Sequence, residues 1–173
     1  YTDGLTEFLF LPFMFSTGRD AERTVAETPE VVIMRLALGE KKGILHEGIY
    51  DARFRDMLLR FATGRRRVSG THGMLVAHGG RRPNGSSGAP GAATSQSQHF
   101  VVGHQFTLIV FADNRVLKVY PRIDPEPNPE REILQFLNQN TSFSNCPVLT
   151  GSVEYIPTGS GPVTLGLLEE NAF

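Results

Sequence analysis

The stretch Arg115-Val116-Leu117-Lys118-Val119-Tyr120, followed after a proline-rich bend by Asn128-Pro129-Glu130-Arg131-Glu132-Ile133, decides how this chain is read. The first block alternates as a strand does, with Val116, Lys118 and Tyr120 on one face and Leu117 and Val119 on the other. A lysine set among apolar neighbours must reach solvent or find a partner. The second block opens a helix: Asn128 is a favoured N-cap residue and Pro129 suits the first helical position. Ile133, Phe136 and Leu137 form its expected apolar face. Two acids near its start, Glu130 and Glu132, compete as partners for Lys118. At 100° per residue Glu132 lies near Phe136, while Glu130 lies near Ile133 and Leu137, so the helical wheel does not choose between them. Either acid also suits the positive end of a helix dipole.

Working outward, Phe106 to Phe111 reads as a strand, and Ala112-Asp113-Asn114 as a tight turn that closes a hairpin with residues 115–120. Val148 to Ile156 and Val163 to Leu168 read as two further strands joined by Thr158-Gly159-Ser160-Gly161. Toward the N-terminus, strands are expected at residues 5–15, 31–38 and 43–50, with Val25 in a segment between the first two. Asp51 caps a helix whose residues Phe54, Met57, Leu58 and Phe61 fall on one face, and Gly64 stops it. Arg65, Arg66 and Arg67 then read as a solvated basic turn that complements the negative helix end. Residues 79–99 are rich in Gly, Ser, Ala, Pro and Gln. They cannot bury enough surface to offset their ordering entropy and read as a flexible loop. The expected fold class is therefore α+β. A cap subdomain at 1–78 carries a curved antiparallel sheet and one helix, and a second unit at 100–173 carries an antiparallel sheet and one helix.

Composition narrows the function classes. The 173 residues are 40% hydrophobic and 20% charged, with a formal net charge of −1. That balance supplies no basic footprint for nucleic acid and no attraction to an acidic membrane surface. No run of 18 apolar residues exists, so no membrane span is expected. The apolar stretch Phe8 to Phe15 contains Pro12 and is too short. The single cysteine, Cys146, can make neither an internal disulfide nor a cysteine-based zinc cage, and a reducing cytoplasm is the expected compartment. The start at Tyr1 and the end at Glu169-Glu170-Asn171-Ala172-Phe173 suggest cuts in a longer protein.

The order hairpin, lysine, helix with glutamate, strand, strand is the order a kinase small lobe needs. There a lysine on the second hairpin strand reaches the nucleotide phosphates, and a glutamate on the next helix holds that lysine. Gly103-His104-Gln105-Phe106-Thr107-Leu108 occupies the phosphate-loop position, with one glycine rather than several. Thr107 could donate its hydroxyl to a phosphate, and His104 could donate as well.

At family level the chain resembles the maltokinases, in the form fused behind trehalose synthase. The resemblance rests on Phe10-Leu11-Pro12, Glu30 to Leu36, Gly43-Ile44-Leu45, Tyr50 to Phe54 and Leu58-Leu59 in the first unit. In the second it rests on Leu117 to Tyr120, Pro127 to Ile133, Phe136-Leu137, Gly151 to Tyr155 and Thr164 to Glu170. The family is similar to eukaryotic-type protein kinases and aminoglycoside phosphotransferases. The resemblance implies transfer of the γ-phosphate of ATP to the anomeric hydroxyl of maltose, with Mg2+, and an extra N-terminal cap. It also implies that Lys118 binds phosphate, that Glu132 rather than Glu130 is the helix glutamate, and that Thr107 is the survivor of the phosphate loop. Glu169 and Glu170 would start the hinge that holds adenine. The catalytic aspartate, the metal ligands and the maltose site would lie in a large lobe beyond that hinge. These 173 residues are thus expected to contain no catalytic or metal-binding residue, and alone to have no kinase activity and weak nucleotide affinity at best. The family loop reads Glu-Gln-Ser-Asn-Thr-Ser, of which Thr107 alone clearly remains here, and the 79–99 insert is long. A rival reading is a non-catalytic module that docks on a trehalose synthase partner and has kept the kinase-like shape without the nucleotide.

Overall fold

A computed structural model of the chain describes residues 8–80 and 96–170. The fold is α+β. In chain order its elements are β1 (Phe8–Leu9), β2 (Phe13–Thr17), α1 (Gly18–Glu27), β3 (Val32–Leu38), β4 (Lys41–Glu47), α2 (Ala52–Ala62), β5 (Arg67–Ser69), β6 (Gly73–Gly79), β7 (Ser97–Val102), β8 (Thr107–Phe111), β9 (Arg115–Val119), β10 (Arg122–Ile123), α3 (Pro129–Asn140), β11 (Val148–Pro157) and β12 (Val163–Glu170). Contacts divide the chain into Leu11–Arg55 and the described residues on either side of it.

The Leu11–Arg55 unit is an antiparallel sheet in the order β2-β4-β3. The β3–β4 hairpin turns at Gly39, whose φ of +62° lies in the left-handed region that glycine enters without strain. Helix α1 packs on β2 and β4. Nothing in the apolar pattern around Val25 announces this helix, because Ala21 is its one buried residue. Inside the unit, the Ser16 hydroxyl and His46 Nε2 lie 2.9 Å apart in a buried hydrogen bond. Asp51 does cap the next helix, accepting from the Arg53 amide at 2.8 Å. Arg53 also forms ion pairs with Asp51 at 2.7 Å and Asp20 at 2.6 Å. Partial burial pushes the Asp51 carboxyl up, but the hydrogen bonds and charge of Arg53 outweigh it and leave its pKa below the ordinary value.

The other unit is built on a seven-stranded antiparallel sheet, ordered β5-β6-β11-β12-β9-β8-β7, with β1 paired to β10 beside it. Ile109, Leu117, Leu167 and Leu168 are fully buried, and Phe111 and Val116 nearly so. The C-terminal end of α2 lies directly on the sheet backbone. A Cβ at Gly151 would stand 2.5 Å from the Ala62 carbonyl oxygen, so only glycine permits this approach. Helix α3 packs on β11.

Several expectations are corrected. β6 pairs with β11, so residues 67–79 belong to the large sheet and the contacts do not divide at 78/79. Of the expected 79–99 loop, residues 81–95 lie outside the described residues, while Ser97 to His99 already form β7. Of the expected strand over 5–15, residues 5–7 lie outside the described residues, and the rest is two short strands interrupted around Pro12, which has no amide to donate to a ladder. In α2 the buried stripe runs through Phe54, Leu58, Leu59 and Ala62, leaving Met57 53% exposed. In α3 the phase differs more. Leu134 is buried, whereas Ile133 and Phe136 are 58% and 59% exposed. Polar anchors set that phase. Arg131 reaches Glu154 on β11 at 2.8 Å, and Asn138 accepts from the Leu149 amide at 2.7 Å and donates to the Pro147 carbonyl at 3.1 Å.

Candidate functional site

Strand β9 lies inside the large sheet, paired with β8 on one side and β12 on the other. Lys118 stands opposite Leu108 and Leu167, and Val116 opposite Val110 and Glu169. Alternation therefore brings Lys118 and Glu169 to one face of the sheet, on diagonal positions of neighbouring strands. Helix α3 begins over that face. Asn128 accepts from the Arg131 amide at 3.0 Å and Pro129 follows at the first position. This cap places Glu130 against the lysine.

Lys118 is the centre of a compact ionisable cluster. Its ammonium donates to Glu130 Oε1 in a close charge-assisted hydrogen bond. It also lies 3.2 Å from Glu169 Oε1 as an ion pair. The Tyr120 hydroxyl donates to Glu130 Oε2 at 2.7 Å, so the glutamate is held from two sides. The Phe106 ring centroid lies 5.9 Å from the ammonium, within cation–π range. The Lys118 side chain is 17% exposed, and Glu169 is completely buried.

The electrostatics follow from this geometry. Burial pulls the Lys118 pKa down, but the Glu130 hydrogen bond and the charges of Glu169 and Glu130 more than reverse it, and the pKa is raised. Burial raises the Glu169 pKa, Lys118 opposes the shift only in part, and the Glu130 charge adds to it. Beyond the Lys118 contact at 3.2 Å, neither buried Glu169 oxygen has a hydrogen-bond partner. Tyr120 is pushed well above the usual phenol value, first by burial and then by its bond to Glu130.

Of the four residues expected to bind ATP, the structure brings together Lys118 and Glu169. Glu132 is exposed and does not pair with the lysine; Glu130 does. The helix turns about 200° between the two acids, and the Asn128 cap, the Arg131–Glu154 pair and buried Leu134 leave Glu130 on the sheet side. Thr107 is paired with Val119, so it falls on the face opposite Lys118, and it is 5% exposed. Its hydroxyl and the ammonium do not converge on one ligand. The loop 103–106 is the turn of the β7–β8 hairpin, closed by the Gly103 amide donating to the Phe106 carbonyl at 3.0 Å.

Two features escaped the sequence reading. Tyr120 shares the alternation face of Lys118, so its place beside the cluster was legible. The bridge from His78 on β6 through buried Glu154 to Arg131, at 2.9 and 2.8 Å, joins residues far apart in sequence and left no local signal.

Chemically, the cluster is an ammonium fixed by a carboxylate, a device that can present positive charge to an anionic ligand. Ionised Glu130 and Glu169 together outweigh the one positive charge of Lys118, and Phe106 covers it from another side. Among the described residues no three His, Cys, Asp or Glu side chains are grouped to hold a metal. Among the described residues no helix is long and apolar enough to cross a membrane. Compared with models of known protein families the chain matches none, and no curated protein matches it.

Proposed function

We propose that the chain is the nucleotide-binding small lobe, with an N-terminal cap, of a cytoplasmic ATP-dependent sugar kinase of the maltokinase type. Its whole protein would make maltose 1-phosphate with Mg2+ and work beside a trehalose synthase domain, fused or associated. One observation carries this reading. Lys118, on a strand inside the sheet, is paired to a glutamate on the helix that follows it, in the order hairpin, lysine strand, helix, strand, strand. That is the arrangement by which kinases hold a lysine against nucleotide phosphates. The glutamate in this role is Glu130. Phosphoryl transfer also needs positioned metal and a group that orients the acceptor hydroxyl, and both would come from a large lobe. Calorimetric titration of the chain with ADP and ATP tests the reading. Weak saturable binding is expected, lost in Lys118→Met and reduced at least fivefold in Glu130→Gln, with Glu132→Gln unchanged. Binding that survives Lys118→Met refutes it.

A second reading, a non-catalytic module docking on a trehalose synthase partner, is favoured by the crowding of Lys118. Two carboxylates and the Phe106 ring already occupy its surroundings, and Thr107 faces away. Absence of nucleotide binding at millimolar concentration, together with stable co-elution with purified trehalose synthase, supports this reading over the first.

A further inference from the structure

The Leu11–Arg55 unit contains a cleft that its own side chains leave unfilled. Helix α1 packs on β2 and β4, and a cleft of about 750 Å³ opens between the helix and β3 and β4. Its helix wall carries Ala21 and Val25, and its sheet wall carries Ala37 and Ile44. The cleft is open to solvent, with Glu22, Ala26, Arg35, Ala37 and Lys42 of its lining exposed, and its volume falls in the range of small-molecule sites, roughly 300–1,000 Å³.

Its charge selects the kind of ligand. Arg35 on β3 and Lys42 on β4 both line the cleft. Register pairs Arg35 with Ile44 and Ala37 with Lys42, which sets the two cations diagonally on one face of neighbouring strands. Such diagonal positions are about 7–8 Å apart, close enough for a guanidinium and an ammonium to grip one anionic group. Among the described residues neither cation has an ion-pair partner. Glu22 is the one acid in the lining, so the basic groups are in excess.

We propose that this cleft binds a small organic anion, its apolar body against Ala21, Val25 and Ala37 and its carboxylate or phosphate held by Arg35 and Lys42. The site shares no residue with the Lys118 cluster and does not depend on the kinase reading. The alanines exclude no flat or branched body, whereas the paired cations discriminate by charge. A neutral compound of the same shape forfeits the charge-assisted contacts.

The test titrates the chain with 2-naphthyl phosphate, 2-naphthoate and 2-naphthol, followed by amide chemical shifts. Both anions are expected to saturate, with shifts centred on Ala21, Val25, Ala37 and Ile44, and the naphthol to bind at least tenfold more weakly. The ranking of the two anions identifies the favoured headgroup. Arg35→Ala combined with Lys42→Ala should lower anion affinity at least tenfold, to the level of the naphthol. Both residues are exposed, so the variant keeps its fold, which its amide spectrum checks. Glu132→Gln, at an exposed residue outside the cleft, should leave the titration unchanged. Equal binding of anion and naphthol, an unaffected double variant, shifts centred elsewhere or no saturation would each overturn the proposal.

Discussion

Replacing Lys118 by methionine keeps much of the apolar stem and removes the charge that faces Glu169. The carboxylate left behind is completely buried, and its oxygens have no hydrogen bonds to fall back on. It then either stays ionised without a cation or takes up a proton. Proton uptake bounds the penalty. For a carboxyl whose ordinary value is 4.5, neutralisation at pH 7 spans 2.5 pH units and costs about 3.4 kcal/mol at about 1.36 kcal/mol per unit. At pH 5 the same step costs about 0.7 kcal/mol. Glu130 is more than a third exposed, so its loss of a partner adds little after solvent screening. Because Lys118 cancels only part of the cost of burying Glu169, the expected destabilisation is about 1–3 kcal/mol at pH 7 and below about 1 kcal/mol at pH 5. Urea unfolding at the two pH values measures it. Adding Glu169→Gln to Lys118→Met should remove the pH dependence. A penalty equal at both pH values, or a double variant that keeps the slope, would refute the reasoning.

Other outcomes follow from the same contacts. In the unaltered chain Glu169 titrates above its ordinary value, so its contribution to stability is full below pH 4.5 and is lost as pH rises through its folded value. Lys118 is also raised, so its contribution is full below 10.5 and disappears above it. A stability profile that rises from pH 5 to 8 in wild type but not in Glu169→Gln would contradict the first sign. Leu134→Ala should cost about 2–4 kcal/mol by thermal or urea unfolding, while Ile133→Ala and Phe136→Ala should each cost under about 1 kcal/mol, since only Leu134 is buried. Arg131→Met strands Glu154, 4% exposed, with His78 alone, and should destabilise by about 1–3 kcal/mol; Arg131→Lys should recover part of that. Gly151→Ala pushes a methyl into the Ala62 carbonyl and should cost about 1–3 kcal/mol, read as a lowered Tm.

Local chemistry determined much of this protein. Alternation at 115–120 makes a strand with Lys118 and Tyr120 on one face, and Asn128-Pro129 caps α3, because both signals act within a few residues of chain. The same holds for Asp51 at the head of α2. The tertiary structure decided which residues those elements turn toward the site. Glu130 and Glu132 are equivalent in local pattern, and distant polar anchors separate them: Arg131 on Glu154, and Asn138 on Leu149 and Pro147. Apolar spacing put Ile133 and Phe136 inside, yet those anchors turn both outward. Thr107 and Lys118 are each legible as strand residues. Their separation to opposite faces depends on a register between β8 and β9 that pairs Thr107 with Val119. The burial of Glu169 beside Lys118 needs β12 placed next to β9, a pairing between strands far apart in sequence. Side-chain direction follows from local periodicity, but phase and neighbours are properties of the assembled sheet.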